Sequence, residues 1–246
     1  MAKEYVIHPI PLVEVEFPKA KMTYLMNFRE NIPIVVYVWY LEGTEKKTIV
    51  DAGITAERLA SRGYKVKPIQ TLAEGLRKLG LTTADIEVII ATHLHHDHYA
   101  EAKEFPNAEV IVQRSELEFT RNPHPMFAGL WASDYHELLA GLRFTVVEGD
   151  TTFSDGIELL LTPGHSAGSQ SVAVRTSQGK AIITGFCSIR ENFEPPPQVR
   201  EKMPVIATGI ATSVLQSYDS VARVKQLADI VLPLHEADLA HVKRIG

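Results

Sequence analysis

The chain has 246 residues, 45% hydrophobic and 22% charged, with a formal net charge of −5; it is too apolar for disorder, and its 15 glycines and 14 prolines are too few for a collagen-like or low-complexity protein. A chain this long buries enough surface to hold a core without staples, and the single cysteine, Cys187, excludes an internal disulfide framework and suits a reducing compartment. Mild negative charge without a basic stripe argues for no nucleic acid and no membrane surface as partner.

The first residues show no basic segment followed by an apolar stretch and a cleavage site. The longest strongly apolar run, Ile32 to Leu41, is too short to span a bilayer and is interrupted by Pro33. A cytoplasmic, soluble protein is expected. Ile34 to Leu41 is rich in β-branched and aromatic residues, turns at Glu42-Gly43-Thr44-Glu45 and resumes at Thr48-Ile49-Val50. This is a hairpin closed by Asp51-Ala52-Gly53. Leu72, Leu76 and Leu79 fall at helical spacing, with Gly80 as the stop.

Val88 to Ala91 and Glu109 to Val112 read as short buried strands, and Ser115-Glu116-Leu117-Glu118 as a capping box opening a helix. Arg121 to Trp131, with Pro123, Pro125 and Gly129, reads as irregular loop. Three more strands follow at 157–161, 171–174 and 181–184. Pro195-Pro196-Pro197 marks an extended segment. Leu215, Tyr218, Val221, Val224, Leu227 and Ala228 trace a last amphipathic helix before the strand Ile230-Val231-Leu232. No linker divides the chain, so residues 1–246 read as one α/β domain of two packed sheets with helices outside.

Chemistry concentrates in Thr92-His93-Leu94-His95-His96-Asp97-His98, directly after a strand, where sites are commonly built. Four histidines and an aspartate in six residues contribute little to a core and would repel one another when protonated, so a metal is the economical explanation. In extended chain His93 and His95 project to one side, and a turn after them lets Asp97 and His98 face a neighbouring position.

This segment resembles the His-x-His-x-Asp-His signature of the metallo-β-lactamase superfamily. Asp51-Ala52-Gly53 resembles the family's early Asp-x-Gly turn, and Pro163-Gly164-His165 and Leu232-Pro233-Leu234-His235 resemble its later landmarks in the right order. The resemblance implies an αββα sandwich, the metallo-β-lactamase fold, with the site at one edge between the sheets. It implies that His93, His95 and His165 hold one metal, that Asp97, His98 and His235 hold another, and that Asp51 steadies the histidine loop from behind. His8, His96, His124, His136 and His241 match no motif. Zinc is the expected ion, one or two per chain, although iron, manganese and cobalt accept the same ligands.

The chain departs from the superfamily after the strand 181–184. Most binuclear members carry a bridging aspartate there, and this chain has Gly185-Phe186-Cys187. Gly-x-Cys resembles the metallo-β-lactamases proper, where the cysteine ligates the second zinc. Cys187 is therefore either a thiolate ligand or a buried inert thiol.

Met22 to Phe28, Ile32 to Tyr37 and Arg190 to Glu194 resemble the N-acyl-homoserine lactonases, but Ser188-Ile189 lacks the tyrosine by which those enzymes contact the substrate carbonyl. The implied activity is metal-dependent hydrolysis of a small-molecule substrate containing a carbonyl, a lactone or similar cyclic ester or amide. A metal-held water, its pKa lowered towards about 7, would attack the carbonyl, and Asp97 would orient that water or protonate the leaving group. A β-lactam or thioester hydrolase, or a non-catalytic metal-binding protein, stays open as an alternative. Phe127 and Trp131 are candidate walls of the substrate pocket. Met22 and Tyr24 either line it or pack against a second subunit in a homodimer.

Overall fold

The computed structural model describes residues 3–128 and 135–246. Seven strands form the first sheet: β1 (Val6–Pro18), β2 (Asn31–Glu42), β3 (Thr48–Val50), β4 (Val66–Pro68), β5 (Val88–Ile90), β6 (Glu109–Gln113) and β7 (Arg143–Val147). Their order is β4-β1-β2-β3-β5-β6-β7, antiparallel through β3 and parallel from there to β7. The second sheet holds β8 (Thr151–Ser154), β9 (Ile157–Leu161), β10 (Gln170–Thr176), β11 (Gly179–Ile183) and β12 (Ile230–Leu232), in the order β12-β11-β10-β9-β8. Only β11 and β12 pair in parallel there.

Helices flank these sheets: α1 (Ala56–Ser61), α2 (Leu72–Lys78), α3 (His96–Tyr99), α4 (Arg114–Arg121), α5 (Tyr135–Leu139), α6 (Arg190–Phe193), α7 (Pro197–Arg200) and α8 (Val214–Leu227). The result is the αββα sandwich of two mixed sheets.

Alternation of side chains along each strand builds the layers. On β2, Val35, Tyr37, Trp39 and Leu41 point into the seam between the sheets, where Val172 and Val174 of β10 and Ala181 and Ile183 of β11 meet them. The intervening Val38 faces an outer layer that includes Leu76 of α2. Ala173 and Ile182, one register step from the seam, pack instead with Val221 and Val224 of α8. A continuous apolar run is therefore what both central strands require.

Several elements differ from the sequence reading. The 13-residue β1 carries Pro9, Pro11 and Pro18, which argue against a strand. Its full-length partner is β2; on the other side β4 reaches only Val13 to Val15, and Ile7 meets Ile245. Pro9 and Pro11 lie in the stretch between, where no ladder donor is needed. Helix α4 begins at Arg114 with Gln113 as its cap, which places Ser115 inside the helix and dissolves the expected capping box. The true box lies on α2, where Thr71 and Glu74 exchange hydrogen bonds. Pro197 opens α7 rather than continuing an extended segment. On α8, Leu215 is 80% exposed: it is nine residues from Val224, half a turn around a 3.6-residue helix, so it projects away from the core.

Trp39 is fully buried at the centre of the seam. Trp39→Ala is expected to cost about 3–5 kcal/mol, whereas Leu215→Ala should stay within about 0.5 kcal/mol of the parent. Urea denaturation of both variants checks the assignment of seam and surface.

Candidate metal centre

The site forms where β3, β5 and β12 end. Extended chain after β5 carries His93 and His95 to one side, their rings 4.5 Å apart and edge to face. The chain then turns into α3, which presents Asp97 and His98. The tip of β3 grips this segment from below: Ala52 and Gly53 donate their N–H groups to the His98 carbonyl at 2.7 and 3.2 Å. Asp51, just before them, adopts φ +60°, an unfavourable conformation that aspartate tolerates better than most residues.

His165 arrives on the loop after β9. Gly164, at φ +121°, lets this loop press against α8: a Cβ there would meet the Ser217 nitrogen at 2.1 Å. Pro163 and Gly164 accept hydrogen bonds from Ser220 and Ser213 of that helix and its cap. His235 follows β12 and is held by its own N–H to the Ser188 carbonyl at 3.1 Å.

Two groups of potential ligand atoms result, His93, His95 and His165, and Asp97, His98 and His235, each with its atoms within 4.8 Å of one another. All are buried except Asp97, which is partly exposed. Outer hydrogen bonds fix which ring nitrogens face inward. His165 Nδ1 lies 2.7 Å from the Ile210 carbonyl and His235 Nδ1 lies 3.1 Å from the Val35 carbonyl, so each must donate. His98 Nδ1 donates to Asp51 Oδ2 at 2.9 Å. The Thr92 hydroxyl donates to the same Asp51 oxygen, which leaves it only to accept from His93 Nδ1 at 3.0 Å.

In each of these four rings Nε2 is therefore the nitrogen turned into the site. His93 Nε2 and His165 Nε2 face each other at 3.2 Å, and His98 Nε2 and His235 Nε2 face Asp97 Oδ2 at 3.3 and 3.7 Å. Acceptors aimed at acceptors require a positive charge between them.

Electrostatics point the same way. Burial holds His165 and His235 down to about 4, and it drives His93 and His95 well below the ordinary histidine range. These rings stay neutral, as ligands must. At His98 burial also opposes charge, but Asp97 and Asp51 outweigh it and raise its pKa to about 10. A proton thus sits where a cation is favoured. Nitrogen and carboxylate donors at this spacing fit zinc or a similar divalent ion.

The remaining expected residues fall as follows. Cys187 joins neither group. Its thiol is buried 3.2 Å from the Met22 sulfur, among Val15, Ile34 and Val36, and burial together with the nearby Asp97 charge pushes its pKa up in the metal-free protein. Phe186, where a bridging carboxylate was sought, packs against Phe193 in the outer layer. Met22 is fully buried and Tyr24 lies 38% exposed on a turn; neither lines the cavity over the metal groups. Phe127 packs in the outer layer beside Phe119, and Trp131 lies outside the described residues.

Beyond the ligand groups the cavity is walled by Val15, Phe17, Ile34, Val36, Leu59 and Ile210, with Cys187, Tyr64 and His96 beside them. Of these, only Ile34, Val36, His96 and Cys187 lie in stretches that the sequence singles out. They gather only because β1, β2 and the segment after α1 converge.

Comparison with known proteins agrees with this geometry. The profile of the metallo-beta-lactamase superfamily matches residues 32–228. An N-acyl homoserine lactonase of Bacillus thuringiensis is 32% identical over 180 residues, 67% of this chain and 68% of that protein. The lactonase AttM of Rhizobium radiobacter is 32% identical over 121 residues, 46% of this chain and 45% of its own. A solved N-acyl homoserine lactone hydrolase, with N-hexanoyl-L-homoserine bound at its catalytic metal centre, superposes with a TM-score of 0.77 at 25% identity, covering 97% of this chain and 95% of that one.

Asp51→Ala strips partners from the Thr92 N–H, the Thr92 hydroxyl and His98 Nδ1–H, all buried. A loss of at least about 3 kcal/mol is expected in the metal-free protein, since each of the three orphaned buried donors costs about 1–3 kcal/mol. Chemical denaturation in the presence of a chelator measures it.

Proposed function

Because the chain belongs to the metallo-β-lactamase superfamily, we propose that it is a metal-dependent hydrolase that opens a lactone or closely similar cyclic ester. The observation that carries this reading is the inward convergence of ring lone pairs and the Asp97 carboxylate, at a spacing that fits a pair of divalent ions. His93, His95 and His165 would hold one ion and Asp97, His98 and His235 the other, with zinc the best fit to the donors. When bound, such ions supply a water acidified towards pKa about 7 and Lewis-acid polarisation of a carbonyl.

The protein's own contribution is positional. Asp97 is the one acidic member of the two groups and the most exposed. Its free oxygen is placed to orient the attacking water and pass a proton to the leaving alkoxide. The apolar wall from Val15 to Ile210 accepts the hydrocarbon part of a substrate, and Tyr64 offers a hydroxyl on the same wall. Lactone is favoured over β-lactam on two grounds. The relatives of similar length are lactonases, and the cysteine that suggested a lactamase, although it lines the same cavity, joins neither group and packs on the Met22 sulfur. A single free thiol also suits the reducing cytoplasm.

The test is metal analysis paired with a substrate panel of acyl homoserine lactones, simple γ- and δ-lactones, nitrocefin and a thioester. Lactone opening that is abolished by chelation is expected. A metal-loaded enzyme that cleaves nitrocefin and no lactone would overturn the assignment. His165→Ala should lose bound metal together with activity. Asp97→Asn should lower kcat by roughly 100-fold or more, the usual worth of a positioned proton-transfer group. Cys187→Ala should retain the parent metal content, read by elemental analysis.

A further inference from the structure

Two anions stand behind the six ligand candidates. Asp51 holds His98 of the second group directly and reaches His93 of the first only through Thr92. The other is Glu116 on α4, fully buried, with no motif role. Its Oε1 accepts the N–H of Leu94, between His93 and His95, at 2.9 Å. Its Oε2 accepts the Ser166 hydroxyl and the Gly168 N–H, the latter at 3.0 Å, from the loop that carries His165. One carboxylate thus ties together the two chain segments, far apart in sequence, that supply all three imidazoles of the first group.

The contact is built for closeness. A Cβ on Gly168 would lie 2.3 Å from the Glu116 nitrogen, so only glycine lets the His165 loop reach this carboxylate. A second link runs beside it: Gln170 N–H donates to the Thr92 carbonyl at 2.8 Å and Gln170 Nε2 donates to the Ala91 carbonyl at 2.8 Å. Burying a carboxylate without a cationic partner is costly, and Glu116 has only these neutral donors. Its hydrogen bonds hold His93 Nε2 and His165 Nε2 face to face at 3.2 Å, a repulsive arrangement that loose loops would relax.

We propose that Glu116 is a positioning residue that holds the His93–His95–His165 group at ligand spacing before metal arrives, and so sets the affinity of that group alone. This rests on the metal-centre reading above and goes beyond it by giving the first group an anion of its own. Among the described residues, that anion makes no hydrogen bond to helix α3, which carries Asp97 and His98, or to the segment that carries His235. Glu116→Gln keeps the shape but turns an N–H donor towards the Gly168 N–H. Ser166→Ala removes a single donor and is the milder variant.

The experiment isolates each group. In a His235→Ala background only the first group is complete; in a His93→Ala background only the second is. Cobalt(II) titration of each, followed by visible absorbance, gives the two affinities with and without the Glu116 change. Glu116→Gln should weaken cobalt binding at least tenfold in the His235→Ala background and less than twofold in the His93→Ala background. Ser166→Ala should give the same asymmetry at smaller size, and it serves alone if Glu116→Gln does not fold. Equal weakening in both backgrounds would make Glu116 a general fold brace and overturn the proposal, as would no change in either. Parent protein that binds no cobalt would instead overturn the metal-centre reading itself.

Discussion

The constraint on which the rest of the molecule depends is that each of four imidazoles spends its Nδ1 proton on a protein acceptor. Val35 and Ile210 give main-chain carbonyls, Thr92 a hydroxyl and Asp51 a carboxylate. That choice fixes the tautomer, and the tautomer fixes the direction of the remaining lone pair. The acceptors come from β2, from the end of β5, from β3 and from the segment before α8. Directing a few lone pairs therefore requires both sheets to be in place.

This dependence explains the economy of the fold. Short parallel strands β3 and β5 end together, so Asp51 and the Thr92-to-His98 segment meet without a long connection. The second sheet delivers His165 and His235 from the same end. Between the sheets lies a seam of aliphatic and aromatic side chains that fixes their separation, and the site is only as well defined as that separation. Close packing in the seam is thus a condition of the chemistry as well as of stability.

Much of this was legible in the sequence because the ligand residues are dense and the strand runs are strongly apolar. His93, His95, Asp97 and His98 announce themselves within six residues, and Asp51, His165 and His235 each sit in a short recognisable turn. What escaped has a common physical cause. β1 is disguised by prolines, whose missing donors matter only where a neighbour is present. The cavity wall comes from strands and loops with no shared pattern. Glu116 hides one residue inside what looked like a capping box, and its partners lie 22 to 52 residues away. Cys187 shows the converse: the right residue type beside the right strand, yet packed on a methionine sulfur, because side-chain direction is set by the fold and not by order along the chain.

The flank of β1 that faces away from β2 has a bearing on how the protein behaves at high concentration. On that border the donor of Ile7 is taken by the carbonyl of Ile245, and the next two residues facing the same way, Pro9 and Pro11, have no donor to give. Exposed sheet borders ordinarily invite another molecule to add itself, the first step of fibrous self-association. Here the row that such an intruder would have to zip onto is tied off at Ile7, lacks a donor at the next two positions, is buried at all three, and has its Pro11 carbonyl taken by Gln70. The same imino acids that obscure the strand to a reader of the sequence keep neighbouring copies from recruiting it.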